Sequence, residues 1–262
     1  MSLSLPLALG AAFFAGLALW GSKGAKAAPG LAPGARRRED GVPAPVSSVL
    51  VESKLVSVIP SRAKPGRGRV PVAKFTQRKV PWRKHKKTGK LQQRVQIVEE
   101  PAALAAQASR KLGREIPLGV FTLATLMASE AGRGSPLAKA AIAHAAMTYT
   151  AKHGKGQTLI QILLGSDGRY GSQQGRYAST RHAPMESDIE LAESIAAGKV
   201  ANPTPGAIQW DSPKTQTALK ARGEPGYERD ADELRRKRES ENKIAIFLPG
   251  VDHDYLRLWK AA

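Results

Sequence analysis

PAALAAQASRKLGREIPLGVFTLATLMASEAGRGSPLAKAAIAHAAMTYTAKHG, residues 101–154, decides the fold. Apolar side chains recur at three- and four-residue spacing over 101–113 and 116–130, the period of a helix face, and each run ends near a glycine. Ser135 is placed as an N-cap with Pro136 at the first helical position, which predicts a third helix over 135–154 that stops at Gly154. TLIQILLG (158–165) and DIELAESIAAG (188–198) predict two more. No alternating pattern of comparable strength follows residue 100, so residues 96–262 are expected to form a mainly α domain.

Outward from this stretch the composition changes. Residues 1–110 hold 20 basic and 5 acidic side chains, whereas residues 111–262 hold 21 and 17. The second part has the charge balance of an ordinary globular surface, and the first has that of an extension whose partners are anionic. Residues 62–90 carry twelve Lys or Arg and no acid, so a basic, largely disordered linker is expected over 23–95. The short apolar runs at 47–59 and 91–99 could still form strands or dock on a neighbour. Phe75 and Trp82 are the only aromatics of the basic stretch, so base stacking is poorly supported. Attraction to phosphates without sequence readout suffices, whether in nucleic acid, teichoic acid or lipid head groups.

LSLPLALGAAFFAGLALW (3–20) contains no charge, and at 1.5 Å per residue it spans about 27 Å, near the thickness of a bilayer core. Residues 1–22 therefore read as a membrane anchor. Ala25-Lys26-Ala27 before Ala28 also fits a signal-peptide cleavage site, and cleavage there would make the protein secreted. The absence of Lys or Arg before the apolar run favours the anchor. Basic residues following such a segment tend to stay on the cytoplasmic side.

Chemistry is expected where an apolar helix meets a glycine-rich loop, and Glu130 in ASEAGRGSP sits there. The negative end of the helix dipole, with partial burial, disfavours a charged carboxylate, which suits a general acid. The absence of cysteine excludes thiol nucleophiles and thiolate metal sites. The five histidines show no H-x-x-x-H spacing and no G-x-S-x-G elbow occurs, so neither a metal site nor a cofactor is expected.

LATLMASEAGRGSPLAKAAIAHAAMTYT (123–150) resembles the cell-wall hydrolase family to which spore-cortex-lytic enzymes belong, in its apolar helix, its Glu and the E-A-x-G-x-x pattern. NPTPGAIQWDSP (202–213) is similar to that family's D-P-T-x-G-A-x-x-x-x-x-P segment, with Asn202 in place of Asp and Pro205 in place of glycine. The resemblance covers about residues 115–215. It implies a lysozyme-like or lytic-transglycosylase-like helical domain that cleaves peptidoglycan glycan strands between N-acetylmuramic acid and N-acetylglucosamine, with Glu130 as the catalytic glutamate.

A lytic transglycosylase works with one carboxylate, whereas ordinary glycosidases use two. Asp167, Glu186, Asp188 and Asp211 are the acids that folding could bring to Glu130 for the hydrolytic, muramidase route. Substrate contacts are expected from GSDGRYGSQQGRYASTRHAP (165–184), chiefly Gln173, Tyr177 and Ser179, with Tyr170 and Gln174 beside them, and from Thr204, Gln209 and Trp210. The overall expectation is a membrane-anchored or virion-delivered wall-cleaving enzyme. Virion delivery during phage infection would reconcile a domain retained inside the producing cell with a target outside it. Two competing expectations are a structural virion or envelope protein with an inactive glycan-binding domain, and a basic nucleic-acid-binding protein. Oligomeric state is not legible.

Overall fold

The computed structural model describes residues 70–84, 89, 91–132, 134–171, 182–224 and 227–262, all within the unit Val51–Ala262. Among the described residues, seven helices and five short strands make a mixed fold in which helix outweighs strand, so the expected mainly α character holds only loosely. The expected membrane segment 3–20 lies outside the described residues, as do Gln173, Gln174, Tyr177 and Ser179. Among the described residues no helix is long and apolar enough to cross a membrane.

Helices α1 (Pro101–Leu112), α2 (Leu118–Glu130), α3 (Pro136–His153), α4 (Leu159–Leu164) and α5 (Glu186–Ala196) follow the periodicity of the sequence closely. The caps are the expected ones. Ser135 accepts a hydrogen bond from the Ala138 N–H, and Thr158 and Gln161 form a reciprocal capping box at the start of α4. Helix α2 is apolar around its whole circumference, and residues Val120 to Ala128 are all buried. Such a helix belongs at the centre of a domain. It packs against α1, α3, α4 and α5.

Two threonines lie inside that apolar surface, and both have partners. Thr125 donates to the Phe121 carbonyl at 2.8 Å, and the Thr122 hydroxyl lies 2.8 Å from the Tyr170 phenol. On α3 the buried positions include Ala138, Ala140, Ala141, Ala143, Ala145 and Ala146, whose small side chains let neighbouring backbones approach closely.

Two features depart from the sequence reading. The basic segment is folded in part: β1 (Gln77–Lys84) and β2 (Leu91–Ile97) form an antiparallel hairpin, registered from Gln77 opposite Ile97 to Lys84 opposite Leu91. Charge repulsion does not prevent this, because the hairpin is tied to the helical body. Ile97 is completely buried, its N–H donates to the Tyr170 carbonyl at 3.0 Å, and Arg78 donates twice to the Gln96 side chain. Before the hairpin, Val72 and Ala73 are buried, and the Val72 N–H donates to the Pro184 carbonyl at 2.9 Å. The folded body therefore begins well before residue 96.

The second departure is a three-stranded antiparallel sheet of β3 (Ala207–Asp211), β5 (Arg257–Ala261) and β4 (Lys243–Ile246), with β5 in the middle. Strands of four or five residues carry too little alternation to stand out in a sequence. Strand β3 lies against α3. Helices α6 (Pro213–Ala221) and α7 (Ala231–Ser240) lie between β3 and β4, and α7 is a solvated helix with no buried residue, capped by Asp230.

Gly171 fixes where the loop after α4 meets the hairpin. Its φ is +79°, and a Cβ there would sit 2.1 Å from the Val95 carbonyl oxygen. Gly168 has a similar φ of +62° but open space around it. Gly171→Ala is expected to cost about 3 kcal/mol, from overpacking added to left-handed strain, and Gly168→Ala about 1 kcal/mol from strain alone. Urea unfolding midpoints of the two variants check this, and equal losses would refute the close-approach argument.

Candidate active site

A helix buried all round must still end somewhere, and α2 ends on Glu130, half-buried where the helix reaches the surface. The chain then turns at Ala131 and Gly132 toward α3, with Gly132 at φ +53°. Gly134 is close-packed in this turn: its N–H donates to the Ala131 carbonyl at 2.7 Å, and an added Cβ would lie 3.0 Å from that same oxygen. The turn is thus short because glycine permits it, and Ser135 starts α3 immediately afterwards.

Trp210 reaches Glu130 from the other side. Its indole N–H donates to the Glu130 carboxylate at 3.0 Å, across 80 residues of sequence. The segment 202–206 makes this possible. Asn202 accepts the Thr204 N–H on its side-chain oxygen at 2.9 Å, the Ala207 N–H donates back to the Thr204 carbonyl at 3.0 Å, and Gly206 turns the chain at φ +83°. This Asx turn feeds straight into β3. Asparagine supplies here the same acceptor oxygen that an aspartate would.

The expected substrate residues therefore separate. Trp210 holds the carboxylate. Thr204 is completely buried and its groups are engaged in the turn, so its hydroxyl does not face a ligand directly. Gln209 is opposite Trp259 while Trp210 is opposite Leu258, and successive strand residues point to opposite faces, so Gln209 faces away from Glu130. Tyr170 belongs to the core: it is 1 % exposed, stacks on Phe75 and packs against Phe121. Burial pushes its phenol far above the ordinary range, outweighing the opposing hydrogen bonds from Thr122 and Thr125, so it stays neutral.

Asp211 and Asp188 are paired elsewhere. Asp211 accepts from Arg257 Nε at 3.0 Å and from the Trp259 indole at 2.7 Å, and both charged side chains are only 8 % exposed. The Arg257 guanidinium also lies over the Trp259 ring, 4.9 Å from its centroid. Asp188 is paired with Lys139 at 2.6 Å and accepts the Met185 N–H at 2.9 Å, which holds the start of α5. Asp167 is exposed, beside the buried Arg94. Glu186 stands half-buried in the first turn of α5.

The role of Trp210 as the partner of Glu130 was not visible in the sequence. The signal that could have found it is the short apolar pair KIAI (243–246) and RLW (257–259), which marks a small sheet able to hold 207–211 as a strand.

This arrangement makes Asp211 structural and Trp210 a contact of the site. Arg257→Met leaves Asp211 buried without its cation and is expected to cost about 3 kcal/mol in urea unfolding. Trp210→Phe removes one hydrogen bond and is expected to cost about 1 kcal/mol. Comparison of the chain with protein-family models, with curated proteins and with solved structures returns no match.

Proposed function

We propose that this chain cleaves the glycan strand of peptidoglycan as a lytic transglycosylase, with Glu130 as its single general acid and base. The observation that carries this reading is the Glu130–Trp210 hydrogen bond. The two segments that resemble the cell-wall hydrolases, 123–150 and 202–213, converge on one half-buried carboxylate.

In the first step the Glu130 carboxylic acid gives its proton to the glycosidic oxygen while the bond from that oxygen to the muramic C1 breaks. The N-acetylglucosamine portion leaves with a hydroxyl. The Glu130 carboxylate then takes the proton of the muramic 6-hydroxyl as O6 bonds to C1, which closes a 1,6-anhydro ring and restores the acid. No water is consumed, so no second carboxylate is required to activate one. The engagement of Asp188 by Lys139 and of Asp211 by Arg257 supports the one-acid route over the hydrolytic one. The Trp210 indole orients the carboxylate between the two proton transfers.

The basic stretch 62–90 suits a tether to an anionic envelope polymer or packaged nucleic acid, and residues 3–20 suit a membrane anchor. Both are extensions of the same proposal.

Digestion of purified peptidoglycan by the full chain, with the soluble muropeptides identified by mass spectrometry, is the test. Anhydromuramyl products are expected from the wild type, with a loss of at least about 100-fold in Glu130→Gln. Trp210→Phe should lower kcat about tenfold, the equivalent of one hydrogen bond, with little change in KM. Reducing-end products would replace the transglycosylase with a hydrolase. Undiminished activity in Glu130→Gln would overturn the assignment of the acid.

A further inference from the structure

A groove with a cavity volume of about 670 Å³ lies between the segment before β1, helix α1 and the start of α5. Lys74, Gln77, Gln107, Lys111 and His182 provide its polar side chains, Phe75 and Met185 part of its apolar surface, and none of its described lining residues is acidic. The side chains of Lys74, Lys111 and His182 are exposed. Glu99, which feels the charge of Lys74, has both its oxygens accepting the Thr76 N–H, at 2.9 and 3.1 Å. Lys111 donates to the Pro71 carbonyl at 2.7 Å, which fixes its ammonium at the groove with two further donors to offer.

The His182 edge of the groove adjoins the helix end that carries Glu130. The Ser129 hydroxyl donates to the His182 carbonyl at 3.4 Å, so the His182 edge of the groove lies against the residue that precedes Glu130. A ligand whose scissile bond is at Glu130 can project a substituent along this groove. The lining asks for an extended chain that is partly apolar and carries negative charge. The chain's own preceding segment does not meet that requirement, since Arg62, Lys64, Arg67 and Arg69 would bring positive charge to a positive groove.

We propose that the groove receives the peptide stem attached to the muramic residue, with the stem carboxylates facing Lys74 and Lys111 and its alanine methyls on Phe75 and Met185. This inference rests on the glycan-cleaving reading above and deepens it: the enzyme would distinguish stem-bearing strands from bare ones. A stem of four or five extended residues reaches about 14–17 Å from its sugar.

The test uses the full chain and two substrates, purified peptidoglycan with intact stems and the same glycan stripped of its stems by an amidase. It also uses a soluble stem tetrapeptide, with binding followed by calorimetry. Intact strands should be cut about tenfold faster than stripped ones. Lys74→Glu should abolish that preference and the tetrapeptide binding while leaving the rate on stripped strands unchanged. Lys74→Gln, which removes the charge without reversing it, should give an intermediate result and controls for misfolding. Equal rates on both substrates together with no tetrapeptide binding by the wild type would overturn the proposal, as would tetrapeptide binding that Lys74→Glu leaves intact. Tetrapeptide binding with no cleavage of either substrate would sink the catalytic reading and leave the groove assignment standing.

Discussion

The burial of α2 is the constraint on which the rest of the molecule depends. Its side chains from Val120 to Ala128 are covered on every side, so α1, α3, α4 and α5 are arranged as its wrapping. Burying one large apolar side chain contributes roughly 1.5–3 kcal/mol, and α2 supplies Phe121, Leu123, Leu126 and Met127 among others. A helix held this firmly places its final residue with little freedom. Glu130 is thus positioned by the hydrophobic core, whereas its surroundings are set by the turn at Gly132–Gly134 and by β3.

The small sheet separates two tasks by the alternation of its strands. One face of β3 presents Trp210 to Glu130, while the other carries Gln209 and Asp211 toward Trp259 and Arg257. The buried Asp211–Arg257 pair ties β3 to β5 next to the site without entering it. Removal of either charge leaves the other in a low-dielectric interior, so the pair specifies the register that delivers Trp210 to the correct face.

The helices were legible because their period, caps and glycines all point the same way. Ser135, Pro136 and Gly154 bracket α3 as read from the sequence, and Glu130 stands at the end of α2 as expected. What could not be read depends on distant partners. The hairpin at 77–97 looks like a charged linker until Ile97 is seen packed in the core and bonded to Tyr170. Tyr170 looks like a sugar-binding loop residue until Phe75, Phe121 and Thr122 are found around it. Trp210 looks like a substrate contact in the sequence, where nothing local reveals an indole hydrogen bond spanning 80 residues. Local periodicity reports on the helices, and the identity of a side chain's neighbours is a property of the tertiary fold.

The order of the sheet, β3-β5-β4, sets a timetable for synthesis. Glu130 and the helix that carries it precede Trp210, and β3 must wait for β5, since Asp211 and Arg257 are 46 residues apart in the chain. At about 5–20 residues per second that wait is roughly 2–9 s, long compared with the microseconds in which helices form. Throughout it the carboxylate exists without a locked indole beside it. The acid and its partner therefore come together as a late event in the biogenesis of the protein, after the helical core is in place.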